Sequence, residues 1–225
     1  MDSIRKGKRF LFRGAAGIIP RLAGITSGML PGGEIKDYCP TAAPGVIIVG
    51  SHVGLSSRQL NRLLQQERVK PIELDVDRLE QSDLLPTISV SIHNALAGKE
   101  TAVIFTSRKE RRDFNTSEER LAFGKKVSDA LVSLARSLPG ETAYLVGKGG
   151  ITSHDLLSRG LELETARLIG QVVPGVSMVR CPANHSRHPH MPFVIFPGNI
   201  GQDDDLARVR ALLEAGGSPD VTSAT

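Results

Sequence analysis

The sequence contains no tryptophan, and aromatic residues make up only 4% of it. A core short of large rings must be filled by Val, Ile, Leu and Ala, so buried strands should read as branched aliphatic runs. Two cysteines, Cys39 and Cys181, stand far apart and outside any CxxC pair. That argues against a disulfide framework and fits a reducing compartment, taken here as cytoplasmic. Long apolar runs are also missing. The stretch from Gly14 to Ile19 is stopped by Pro20 and Arg21, and it is too short and glycine-rich for a secretory signal. No membrane association is expected. Charge of one sign does not dominate, since 28 basic residues face 24 acidic ones. A net charge of +4 does not point to nucleic acid as a partner. Part of it comes from Arg5, Lys6, Lys8, Arg9, Arg13 and Arg21 near the start.

The 225 residues suit one domain, or one domain with an arm. Residues 1–44 are rich in Gly and Pro, lack clean periodicity and read as an arm or linker. Residues 45–215 alternate short β-like runs with helical ones, and residues 216–225 form a polar tail expected to be disordered. Val46–Val49, Ile72–Asp75, Ala102–Thr106, Ala143–Val146, Val176–Val179 and Phe193–Phe196 are the expected strands. Helices are expected from near Ser56, over 84–96, from Thr116 to about Leu138, around Ala166–Ile169 and over about 203–215. Ser56 with Gln59, Thr116 with Glu119 and Thr152 with Asp155 each match the capping-box pattern. Strand and helix alternating with compact connections predict an α/β fold, an open and mostly parallel sheet with helices on both faces.

In such sheets ligands bind beyond the carboxyl ends of the strands, so the turns there matter most. Gly50-Ser51-His52-Val53-Gly54 follows the first strand and offers a sharp turn with a hydroxyl. Lys148-Gly149-Gly150-Ile151-Thr152 follows another; its glycines allow close backbone approach, and free N–H groups opening the next helix would favour an anion such as phosphate. The spacing is neither a Walker A motif nor GxGxxG. Gly170-Gln171-Val172-Val173-Pro174-Gly175 and Pro197-Gly198-Asn199-Ile200-Gly201 complete the set. Taken singly, each turn has a purely structural reading. Taken together they line a groove for an extended anion with a flat, apolar end, which describes a nucleotide.

Other clusters carry less. His185, His188 and His190 beside Cys181 invite a zinc hydrolase reading, but their spacing is not a standard ligand pair. Ser51 and His52 are adjacent without a GxSxG elbow. Arg108–Arg112 is a charge run, either a solvated loop or a contact to phosphates from the groove edge.

The segments VGSHVGLSSRQLNRLL, VIFTSR, FGKKVSDALVSLARSLP, YLVGKGGITSHDL, IGQVVPGVSMVR and FVIFPGNIG, in this order, resemble the nucleotide-binding domain of the four-carbon acid sugar kinases, a family acting on threonate, erythronate and 3-oxo-tetronate. The resemblance runs from about Val46 to Gly201. It implies a role in carbohydrate metabolism as the ATP-binding half of a kinase, with Mg2+ bridging phosphates. Ser51 would contact nucleotide or phosphate. Gly149, Gly150, Ile151 and Thr152 would cradle phosphates, Gly170 and the Pro174-Gly175 turn would shape a wall, and Pro197, Gly198 and Asn199 would close the other side. By the same resemblance, GKRFLFRGAAGIIPRLAGI looks like the junction with a preceding sugar-binding domain that holds the acid and the catalytic base. The expected partners are therefore ATP or ADP, together with a separate sugar-acid-binding domain or a second copy of the chain. Ile18, Ile19, Leu22 and Leu30 would form the sticky surface where that domain sits, and homodimerisation would cover it in its absence. No catalytic base and no protein metal ligand is assigned. The alternative is a non-catalytic nucleotide-binding module with a regulatory or interaction role.

Overall fold

A computed structural model of the chain describes residues 5–11, 24, 28–39, 42–108 and 113–215. The elements are helix α1 (Gly32–Tyr38), strand β1 (Val46–Val49), α2 (Gly54–Leu64), β2 (Val69–Leu74), α3 (Leu84–Ala97), β3 (Thr101–Thr106), α4 (Ser117–Arg136), β4 (Leu145–Lys148), α5 (Gly150–Asp155), β5 (Arg167–Val173), β6 (Val176–Arg180), β7 (Pro192–Phe196) and α6 (Asp205–Glu214). A π-helical turn over Leu156–Gly160 extends α5.

Branched side chains dictate the strands. All four residues of β1 are buried, as a strand covered on both faces requires. Alternation then divides them: Val46 and Ile48 join one core with α3 and α4, while Ile47 and Val49 join the other with α2 and α6. The seven strands lie in the order β2-β3-β1-β4-β7-β6-β5. Pairings from β2 through to β7 are parallel, and β6 is antiparallel to both its neighbours. The open, mostly parallel α/β sheet expected from the pattern is therefore present. After β1 the chain builds outward to β3 and β2, then returns to the opposite side of β1 with β4. The crevice beyond the carboxyl ends of β1 and β4 is the point where the winding reverses.

The edges are distinct. On β2, Lys70, Pro71 and Glu73 are exposed. On β5, Gln171 accepts from the Leu30 N–H at 2.9 Å and donates its own N–H to the Gly28 carbonyl at 2.7 Å. Residues 28–39 therefore lie against the domain, with Ile35 and Cys39 buried in the α2/α6 core.

Several expectations need correction. Ala166–Ile169 was expected to be helical, but Arg167 onward is β5, held by pairing with β6 across the Pro174-Gly175 hairpin. Helix α2 starts at Gly54 and α5 at Gly150, and neither has a side-chain cap. The hydroxyls and the amide expected to cap them are used in tertiary contacts instead. Only Thr116 caps as read, accepting from the Glu119 N–H at 3.1 Å. Leu30 packs inward, since a Cβ on Gly170 would meet its Cγ at 2.8 Å. Ile18, Ile19 and Leu22, the run Lys109–Arg112 and the tail from residue 216 lie outside the described residues.

Candidate nucleotide site

Three neighbouring strands, β1, β4 and β7, end side by side, and their turns meet. Ser51 follows β1. Its hydroxyl accepts from Ser56 Oγ at 3.0 Å, and Ser56 Oγ reaches the Gly198 carbonyl at 2.8 Å, binding the β1 turn to the β7 turn. Gln59, one helical turn on, donates to the carbonyls of Ile200 at 3.1 Å and Gln202 at 2.8 Å. The residues that imitate a capping box are thus braces for the loop after β7.

Glycine is required where these turns touch. Gly149, with φ 127°, is in a region that side chains rarely occupy. A Cβ on Gly50 would lie 2.3 Å from Thr152 Oγ1, and one on Gly198 would lie 2.6 Å from Ser51 Oγ. Gly150 differs: a Cβ there meets nothing within 4 Å. It faces open space at the start of α5, where the amides of Gly150, Ile151 and Thr152 have no acceptor within the helix. Ile151 beside it is 79% exposed. Thr152 packs in the crevice, and Asp155 receives the Ser128 hydroxyl and pairs with Arg159 at 3.8 Å.

The turns thus bring together Ser51, Gly149, Gly150, Ile151, Thr152, Pro197, Gly198 and Asn199. Pro174 and Gly175 border them from the side, since a Cβ on Gly175 would touch Ile200 Cγ2 at 2.9 Å. Gly170 lies within the edge strand, apart from this group, where it admits Leu30.

Cations surround the turns. Lys148 at the end of β4 is fully buried, donating to the carbonyls of Pro197 at 2.6 Å and Gly198 at 3.3 Å. Arg108, following β3, donates to the Ser51 carbonyl at 2.8 Å and to Ser57 Oγ at 2.6 Å, and burial lowers its pKa. His52 Nε2 is 3.0 Å from Thr106 Oγ1.

Next to the glycine turns is a cavity of about 280 Å³ between β1, α4 and α5. Gly50 and Thr152 are shared with the turns, while Phe114, Phe123, Val127 and Leu131 form the apolar wall. The Phe114 and Phe123 ring centroids are 5.3 Å apart. This slot was not anticipated. The available signal was the use of two of only seven phenylalanines within one short segment, the second in line with Val127 and Leu131 on α4.

The strand-end turns, open at Gly150 and continuous with an apolar slot, have the form of a site for a phosphorylated ligand with a flat end. Residues 46–206 match the family model described as nucleotide-binding C-terminal domain. The chain belongs to this nucleotide-binding domain family.

By structure, the domain resembles a protein from Bordetella bronchiseptica described as a domain of unknown function (DUF1537), solved in two crystal forms with bound citrate as a domain-swapped dimer. In one form the identity is 18% and the TM-score 0.61, covering 76% of this chain and 41% of that one. In the other the identity is 17% and the TM-score 0.60, covering 80% and 41%. The nucleotide-binding domain therefore spans about two-fifths of the length of these solved chains. No curated protein matches it by sequence.

His185 Nδ1 accepts from the His188 N–H at 2.9 Å and its Nε2 lies 2.8 Å from the Leu161 carbonyl. Among the described residues no group of three or more His, Cys, Asp or Glu is placed to hold a metal. Cys39 and Cys181 are both free and buried, and burial pushes their thiols up to about 12 and about 11. No helix among the described residues is long and apolar enough to cross a membrane.

Proposed function

We propose that the domain binds ATP and ADP, with the base in the Phe114/Phe123 slot and the phosphates over Ser51, Gly149–Thr152 and Gly198–Asn199. It would then serve as the nucleotide half of a kinase that phosphorylates a four-carbon sugar acid. The observation that carries this reading is the continuity of the two spaces: Gly50 and Thr152 belong both to the glycine turns and to the aromatic slot. Amides fixed before the reaction stabilise charge that moves among phosphate oxygens, the main demand of phosphoryl transfer. Mg2+ fits as a passenger of the nucleotide, neutralising its phosphates, because the described residues offer no carboxylate set for it. Of the acids next to the turns, Asp155 is engaged by Ser128 and Arg159, and Asp203 and Asp204 by Arg58 and Arg62. The sugar acid, and the base that takes its hydroxyl proton, are assigned to a separate domain or chain, or to a second copy.

The test is calorimetric titration of the chain with Mg-ATP and Mg-ADP, beside Gly150→Val. The valine has room at a helical position, so the variant should melt like the parent. Its side chain fills the phosphate space, so affinity should fall by about tenfold or more. Equal binding by the two proteins, or none by the parent, would overturn the reading.

A further inference from the structure

Lys148 is 0% exposed, yet among the described residues its ammonium has no carboxylate partner. It donates to the carbonyls of Pro197 and Gly198 and lies 4.1 Å from the centre of the Phe196 ring. The peptides here are all trans, and a trans peptide sets its N–H opposite its carbonyl. The Pro197 carbonyl belongs to the peptide whose N–H is that of Gly198; the Gly198 carbonyl belongs to the peptide whose N–H is that of Asn199. Both N–H groups therefore point away from the ammonium, and neither has an acceptor among the described residues. A carbonyl polarised by a cation makes its own amide a stronger donor. Backbone amides with no acceptor in the protein are donors that an anion can use.

Most other charges nearby have partners of their own. Arg58 and Arg62 of α2 pair with Asp203 and Asp204. Asp205 accepts from the Gln202 N–H, and Asp155 of α5 is held by Ser128 and Arg159. Beyond β3, Arg108 binds Ser51 and Ser57; in the β1 turn, His52 meets Thr106; and His154 of α5 is exposed. Burial alone acts on the Lys148 ammonium and brings its pKa down to about 8.

We propose that Lys148 is a positioning residue for the nucleotide phosphates, driving the Gly198 and Asn199 amides toward them from beneath, so that nucleotide binding is linked to the protonation of this one lysine. The proposal rests on the nucleotide reading above. A bound anion favours the charged amine and moves its pKa back toward the ordinary value. The free protein holds the proton below about pH 8 and loses it above, so binding at alkaline pH must recapture it. The ligand's own phosphates, with a second pKa of about 6, are already ionised there.

The experiment is titration of the full chain with Mg-ADP from about pH 7 to about pH 9.5, in buffers of different ionisation enthalpy. Affinity should hold to about pH 8 and then fall by up to about tenfold per unit, with net proton uptake on binding. Lys148→Arg keeps a charge that does not titrate, so it should bind with a flat profile. Lys148→Met should bind more weakly at neutral pH, also with a flat profile. The parent's proton uptake decides the matter even if Lys148→Met does not fold. Binding without pH dependence or proton uptake, or a slope that persists in Lys148→Arg, would overturn the proposal and leave the nucleotide reading intact. No ADP binding at any pH would overturn both.

Discussion

Gly50 is the tightest point of the candidate site, and replacing it by alanine separates the packing of the crevice from the space it encloses. An alanine Cβ would sit 2.3 Å from Thr152 Oγ1 and 3.2 Å from both Thr152 Cγ2 and Leu131 Cδ1, where ordinary contact begins at 3.4 Å. Thr152 must therefore retreat by about 1 Å, and overpacking of this kind costs about 1–3 kcal/mol. At about 2–4 °C per kcal/mol for a chain of this size, Gly50→Ala should lower Tm by several degrees. It should also weaken Mg-ATP binding, because Thr152 is a wall of the slot. Thr152→Ala removes the clashing atoms, so the double variant should regain about 1–2 kcal/mol relative to the sum of the two single changes. Thermal melts of the four proteins, followed by circular dichroism, measure that coupling. Strictly additive losses would refute the placement of Thr152 against Gly50.

Two further outcomes follow from the structure. His188 is 2% exposed, and burial, followed by Arg187 and His185, brings its pKa down to about 4. The folded state favours the neutral ring, so its stability is complete above about pH 6.5 and is lost progressively toward pH 4, by about 3 kcal/mol in all. Urea midpoints measured across that range should fall, and His188→Leu should flatten the fall; an equal fall in the variant would refute the assignment. In the slot, Phe123→Ala should weaken Mg-ATP binding by about tenfold while leaving pyrophosphate binding unchanged. Equal loss of both ligands would place the base elsewhere.

Much of this architecture is legible without coordinates because buried parallel strands announce themselves. Val46–Val49 and Ala102–Ile104 are continuous aliphatic runs, and strand-end glycines mark where the chain turns. What failed was local pattern without local cause. Ser56 and Gln59 have capping spacing, yet the β7 loop competes for both side chains and wins. Thr152 and Asp155 match the same pattern, but Thr152 fills the crevice and Asp155 faces α4. Arg167–Ile169 carries too few residues to show a period, and a hairpin partner decides its conformation. The glycine turns were readable because each is one contiguous segment. The aromatic slot was not, since it forms only when α4 and α5 close over the end of β1.

The two borders of the sheet decide how this chain can meet others. Strand β2 faces outward with Lys70, Pro71 and Glu73, and the proline has no N–H to offer a new ladder. On the far side, Gly28 and Leu30 already occupy the backbone of Gln171, and exposed Arg167 sets a charge on the stretch before it. Each border thus carries a feature that weakens it as a template for another strand, which counts against edge-to-edge stacking by a sheet with five parallel strands of strongly β-forming sequence.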